Sequence, residues 1–365
     1  MQDGEHIRPL TALRFGAAFW VVLFHYWHSL DTDLISPVVQ RGYLGVEAFF
    51  TLSGFILCHV YLTAVEDRRF RYGAFLWNRL ARVYPLHLAA LVGIGGMALA
   101  ATAAGFQVDP NILSWRALPA NLLLLHAWGL AGVAGWNHPS WSISAEWFAY
   151  LTFPVFAWAA LRLKDRPLIA VIGSVVLIIA LYAGFDAVAG FPLTHATFNW
   201  GALRIVPCFA FGCSLFLFWR SRAADGRKAG LGAAFFGAAV LAGAAFGLGD
   251  ALLVACLGGL ILSLAQLAKS GSAFASHPAL VYLGEISYSV YMICIPWQIL
   301  FVNTVAHYLT LNDKHLPLYI WVVLVAGVVP LSALTYHVIE KPARAWMKLI
   351  ADKRRAHAFA TASVS

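Results

Sequence analysis

Charge is what this sequence has least of. Asp, Glu, Lys and Arg make up 12% of its 365 residues and hydrophobic residues 61%, a balance that excludes an ordinary soluble globular protein, where about a quarter of residues are charged. Cysteine is scarce as well. Cys58, Cys208, Cys213, Cys256 and Cys294 all lie in apolar runs without metal-ligand spacing, so neither a disulfide framework nor a zinc site is expected. No serine stands in a nucleophile-elbow pattern and no histidine in an H-E-x-x-H neighbourhood, which argues against a serine hydrolase and against a bound metal. The segments between apolar runs are too short to form a soluble domain.

What fills the chain instead is a series of long apolar runs, at roughly 12–30, 42–62, 83–104, 140–161, 168–184, 201–219, 229–248, 251–268, 280–305 and 318–340. Each is long enough, or nearly so, to span a bilayer as a helix. The first run has no small-residue cleavage site after it, so it is expected to stay as the first span rather than be removed as a signal peptide. A further run, 118–130, is short and carries His126 and Gly129. If it is re-entrant or interfacial, the basic segments 66–82, 162–166 and 220–228 all fall on the side of the basic C-terminal end. That is the distribution expected of cytoplasmic segments. The expectation is therefore an all-α polytopic membrane protein with about ten transmembrane helices, a short re-entrant or interfacial helix near 118–130, and both termini cytoplasmic. The membrane domain is expected over 1–345 and a basic, disordered tail over 346–365. The net charge of +8 is accounted for by these loops, so nucleic acid is not an expected partner.

Inside that apolar background a few ionisable residues stand out, and at such depth they are functional candidates. Arg14 and His25 lie in the first run, eleven positions apart. A helix turns through about three revolutions over that interval, placing both on one face and about 16 Å apart in depth. Glu47 sits in the outer turns of the second run beside Gly42, Gly45 and Gly54, glycines that permit close packing, in the simplest arrangement against the first span. Glu47 can orient His25 or bind a hydroxylated ligand; equally, it can pair with Arg41 or Arg14 to lower its burial cost. Residues 70–87 read as an amphipathic helix on the membrane surface that restarts at Pro85. Arg79 and Arg82 share a face there, in an arrangement suited either to phosphate or to anionic lipid. Trp141, Ser142, Ser144 and Glu146, in the block 136–150, resemble a sugar-binding lip, since aromatic faces stack on pyranose rings and carboxylates accept hydroxyl protons. An aromatic belt with a paired acid is the alternative. Arg204 and Glu285 read as structural charge partners.

Six blocks in order then carry a resemblance: LTALRFGAAFWVVLFHYWH at 10–28, GVEAFFTLSGFIL at 45–57, NRLARVYPLH at 78–87, PSWSISAEWFAY at 139–150, GEISYSVYMICIP at 284–296 and YHVIEKP at 336–342. Together the chain resembles the membrane acyltransferase-3 family, transmembrane O-acyltransferases of bacterial carbohydrates. The resemblance implies a ten-span domain in the bacterial inner membrane, with no permanently bound cofactor. The donor would be cytoplasmic acyl-CoA, most simply acetyl-CoA, and the acceptor a hydroxyl of a saccharide on the far side. It implies that Arg79 and Arg82, with Tyr84 of the same block, bind coenzyme A, and that Arg14 guides or polarises the donor. His25 would be the base or the transient acyl carrier. Glu47 or Glu146 would position the sugar or its proton, with Trp141, Ser142 and Ser144 around the substrate. Membrane lipids and polysaccharide-assembly proteins are the further partners implied. The chain departs from the family at Thr11 and Ala12, where a Leu-Asp-Gly-Leu-Arg stretch is common, and at Cys294, where many members have histidine. A transporter or flippase for a lipid-linked saccharide would also have ten spans and a polar midplane.

Overall fold

The computed structural model describes residues 7–362 apart from 107, 110, 134, 275, 312 and 313, and omits the side chains from 354 onward. Fifteen α-helices follow one another: α1 (Arg8–Trp27), α2 (Pro37–Gln40), α3 (Gly45–Glu66), α4 (Tyr72–Ala103), α5 (Leu118–Leu122), α6 (Trp141–Leu151), α7 (Phe153–Arg162), α8 (Pro167–Ala189), α9 (Gly201–Ser221), α10 (Gly226–Ala245), α11 (Asp250–Lys269), α12 (Pro278–Glu285), α13 (Ser287–Tyr308), α14 (Leu318–Thr335) and α15 (Lys341–Ala362). Among the described residues nine helical stretches are long and apolar enough to cross a membrane. They cover every expected span except 140–161. That one is divided at Thr152 into α6 and α7, because Pro154 at the start of α7 has no N–H to continue the ladder. The Phe148 carbonyl accepts both the Thr152 amide, at 3.0 Å, and the Thr152 hydroxyl, at 2.8 Å. The segment 118–130 forms only the five-residue α5, too short to span.

One expectation fails locally. The chain does not restart at Pro85: α4 runs through it for 32 residues, about 48 Å. Proline's fixed φ suits a helix, and only one backbone donor is lost, a cost that apolar helices packed on neighbours tolerate. The basic end from 346 is helical as far as the described residues run. A π-turn over Tyr336–Glu340 joins α14 to α15, which continues to Ala362. Its Ala, Lys, Arg and Leu content favours helix despite the polarity.

The helices pack around α3 and α9, whose crossing is made by glycines. A Cβ on Gly54 would lie 2.1 Å from the Phe209 carbonyl oxygen, and one on Gly212 would lie 2.0 Å from that of Thr51. Gly42 and Gly45 do press on α1, at the Trp20 and Ala17 carbonyls, but Gly54 turns to α9. The core therefore falls into two parts. The larger joins α3, α4, α6, α8, α9 and α11; the smaller joins α1, α13 and α14 around Val22, Tyr26, Cys294 and Leu324. All five cysteines are free. Because Gly212 meets backbone rather than a movable side chain, Gly212→Val should destabilise the solubilised protein by at least about 2 kcal/mol, the scale of overpacking, measured as a lowered thermal midpoint. Gly230→Ala, at a position with open space around it, should leave the midpoint unchanged.

Candidate active site

Four arginines from three stretches of sequence meet in one internal cavity of about 130 Å³, a size comparable to cavities that admit benzene. Arg14 comes from α1, Arg79 and Arg82 from one face of α4, and Arg344 from α15. Thr11 of α1, Ser53 of α3, Ser142, Glu146 and Tyr150 of α6, and Tyr288 and Tyr291 of α13 complete its polar wall; Leu10, Val46, Phe49, Phe50 and Ile56 are among its apolar lining. Glu146 accepts a hydrogen bond from the Ser53 hydroxyl at 2.8 Å. Glu340, turned inward by the π-turn and only 3% exposed, accepts one from Ser289 at 2.8 Å and faces Arg82, Arg14 and Arg344. Four guanidiniums against two carboxylates leave the cavity with an excess of positive charge, which favours an anionic guest, and guanidinium forks suit phosphate or carboxylate oxygens. Arg79 also donates to the Tyr61 hydroxyl at 3.3 Å, its guanidinium 5.6 Å from that ring's centre.

Of the residues singled out by sequence, Arg14, Arg79, Arg82, Ser142 and Glu146 are thus brought together. The others lie elsewhere. Glu47 is wholly buried and paired bidentately with Arg204, at 2.5 and 3.0 Å. Its partner is neither Arg41, which pairs with Asp250, nor Arg14. Arg204 also donates to the Ala196 carbonyl at 2.9 Å and lies 4.6 Å from the centre of the Trp141 ring, so Trp141 stacks on a protein cation. The Ser144 hydroxyl donates to the Leu124 carbonyl at 2.7 Å and accepts from the Ala127 amide at 3.0 Å, pinning the segment after α5. Tyr84 is absent from the cavity wall and neighbours His87, ring centres 6.2 Å apart.

His25 lies beyond the cavity, whose α1 lining ends at Arg14. Its ring is 5.3 Å from that of Phe24 and 6.1 Å from that of His138, and its carbonyl accepts from the Gln298 amide at 3.1 Å. Burial holds His138 below the ordinary imidazole value and pushes His126 down to about 4, so both rings are neutral at pH 7. Ser53, Tyr150, Tyr288, Tyr291 and Arg344 were not anticipated. Tyr150, Tyr288 and Tyr291 fall inside the ordered blocks of sequence, but nothing local distinguishes them from packing aromatics.

The fold and site define a class: an all-helical, multi-pass membrane protein with an arginine-rich internal cavity. The family model described as an acyltransferase domain matches residues 8–337, and the chain belongs to this membrane acyltransferase-3 family. Its relatives include acyltransferase MdmB of Streptomyces mycarofaciens, 33% identical over 40% of this chain and 38% of that protein. Protein 2 in the picA locus of Rhizobium radiobacter is 30% identical over 48% of this chain and 95% of its own length. Nodulation protein 10 of Rhizobium leguminosarum bv. viciae is 24% identical over 93% of each chain. The chain thus spans well under half the length of the first of these. No solved structure matches it.

The buried pair gives a stability test. Arg204→Met alone leaves the Glu47 carboxylate buried and unpaired, and should cost about 3–5 kcal/mol. Adding Glu47→Leu should recover most of the lost thermal midpoint, because an apolar pair replaces an ionic one.

Proposed function

We propose that the protein transfers an acyl group, in the simplest case acetyl, from cytoplasmic acyl-CoA to a hydroxyl of a saccharide facing the other side of the bacterial inner membrane. The observation that carries this reading is the gathering of Arg14, Arg79, Arg82 and Arg344 around one cavity that also presents Ser142 and Glu146. Coenzyme A carries phosphates on a long flexible arm. Arg79 and Arg82 hold those phosphates, and Arg14, deeper along α1, polarises the thioester carbonyl. Glu146, fixed by Ser53, orients the acceptor or its proton. His25 takes that proton as general base, which contributes typically 10²–10⁴-fold to rate, or holds the acyl group between two half-reactions. In either case the acceptor O–H and the thioester C–S bonds break, the ester C–O bond forms, and the proton ends on the coenzyme A sulfur. Exopolysaccharide and lipopolysaccharide are the acceptor classes in view, and polysaccharide-assembly proteins the natural neighbours. Tyr84 enters this reading as a support of the coenzyme-binding face of α4, not as a direct contact.

The test is thiol release from acetyl-CoA by membranes carrying the protein. Release that depends on the glycan acceptor is expected; glycan movement across the membrane without thiol release would make the protein a carrier instead. His25→Ala should lower transfer at least about 100-fold while the protein still inserts and keeps its thermal midpoint. Arg79→Ala with Arg82→Ala should raise KM for acetyl-CoA about tenfold or more, since hydrogen bonds to charged groups contribute about 1.5–3 kcal/mol each. The acceptor KM should change little.

A further inference from the structure

Behind the cavity lies a second polar cluster that the reaction above does not use. His87, Asn121, His126, Asn137 and Ser140 are all at most 1% exposed. Their hydrogen bonds fix which atoms remain. His87 Nε2 lies 2.9 Å from the Asn121 carbonyl, which can only accept, so Nε2 carries the proton and Nδ1 is bare. The Ser140 hydroxyl donates to the Asn137 carbonyl at 2.6 Å. At 3.1 Å from His126 Nε2 it therefore accepts, and His126 Nδ1 is bare as well. The carboxamide nitrogens of Asn121 and Asn137 donate to the Ala117 and Met292 carbonyls, each at 2.9 Å, which leaves the two Oδ1 atoms to find other donors. His87 Nδ1, Asn121 Oδ1 and Asn137 Oδ1 have no hydrogen-bond partner among the described residues. His126 Nδ1 likewise has no hydrogen-bond partner among the described residues. Every one of these buried atoms is an acceptor. Leaving so many acceptors dry in one place is costly, and a small molecule rich in donors is the natural remedy.

The cluster also has two ends. The His87 and His126 rings lie parallel, 5.8 Å apart, and His87 is one turn beyond the cavity-lining Val83 on the same face of α4. At the other end Ser140 and Asn137 flank His138, whose ring faces His25 at 6.1 Å. We propose that His87, Asn121, His126 and Asn137 hold internal water, and that this hydrated cluster relays the proton between His25 and the donor cavity. The inference rests on the acyl-CoA reading. In that reading the acceptor hydroxyl loses a proton to His25 while the departing thiolate gains one, and a neutral imidazole with one bare and one protonated nitrogen can accept at one and release at the other. The competing exit is His28, which is exposed and whose ring, like that of His25, contacts Phe24.

The two routes differ in proton bookkeeping across the membrane. Through the relay, the proton lost by the acceptor reaches the sulfur and neither side changes pH. Through His28, one proton per ester appears on the acceptor side and one is withdrawn from the other. Inside-out membrane vesicles from cells making the full-length protein enclose its own acceptor; acetyl-CoA is added outside, with a pH dye trapped within and thiol release followed outside. The wild type should release thiol with no proton appearing inside. His126→Leu should lower kcat tenfold or more with KM for acetyl-CoA within twofold. His126→Gln keeps a donor for Ser140 but has no second ring nitrogen, so it should fold like the wild type and turn over as slowly as the leucine variant. Wild-type turnover in His126→Gln, or one proton per thiol appearing inside the wild-type vesicles, overturns the relay alone. An absence of thiol release from wild-type vesicles overturns the acyl-CoA reading and the relay with it. A structure of the wild type at a resolution that shows water should reveal water on His87 Nδ1; a metal ion there overturns the proposal.

Discussion

Glu47 and Arg204 are hidden from solvent, and each makes the burial of the other tolerable. Taking either charge out of water alone costs several kcal/mol, so the helices that carry them, α3 and α9, cannot separate without stranding a charge in an apolar interior. The same guanidinium lies on Trp141, which opens α6, and reaches the Ala196 carbonyl just before α9. One ionic contact thus sets α3, α6 and α9 against one another. The glycine crossing of α3 and α9 makes the approach close enough for it. Glu146 and Ser142 reach the cavity from α6, and Ser53 reaches Glu146 from α3. The cavity wall therefore inherits its geometry from the buried pair beneath it.

The cavity poses the opposite electrostatic problem. Four arginines in one enclosure repel, and Glu146 and Glu340 only partly balance them. Glu340 does so because a π-turn, with its extra residue, rotates the end of α14 and directs the carboxylate inward, while Arg344 follows one turn later. Such turns cost hydrogen-bond quality and concentrate at functional sites. The residual positive charge is destabilising in the empty cavity and favourable once an anion enters. On the proposed reading, folding stability is given up where binding needs it.

Much of this was legible in the sequence, and the division follows from physics. Run lengths and hydropathy located the membrane helices because a bilayer fixes the length of a span. The spacing of Arg79 and Arg82 placed them on one face because helical periodicity is local. Pairing across the bundle is not local. The second apolar run offered Glu47 several partners, and nothing in it pointed to Arg204, more than a hundred positions away in another helix. Trp141 and Ser144 looked like ligand-binding residues because stacking and hydroxyl donation are the same interactions whether the partner is a sugar or the protein itself. Pro85 misled because its penalty depends on what surrounds the helix, which a window of sequence does not contain.

His25 is the residue for which sequence and structure together say more than either alone. Periodicity puts it on the face of Arg14, about 16 Å away, and the cavity stops at Arg14 on that helix. Between the two, Ala17 and Trp20 offer their carbonyls to Gly45 and Gly42 at distances that leave no room for a Cβ. Backbone packed on backbone cannot slide without breaking the contact, so α1 keeps the two residues apart as a rigid spacer. On the proposed reaction, the gap must be crossed by the substrate's own reach or by movable side chains at the cavity's end. Phe49 and Tyr291 are both in the cavity wall, their rings 6.1 Å apart. On that proposal, one helix separates the point where coenzyme A would be gripped from the point where a proton would be taken.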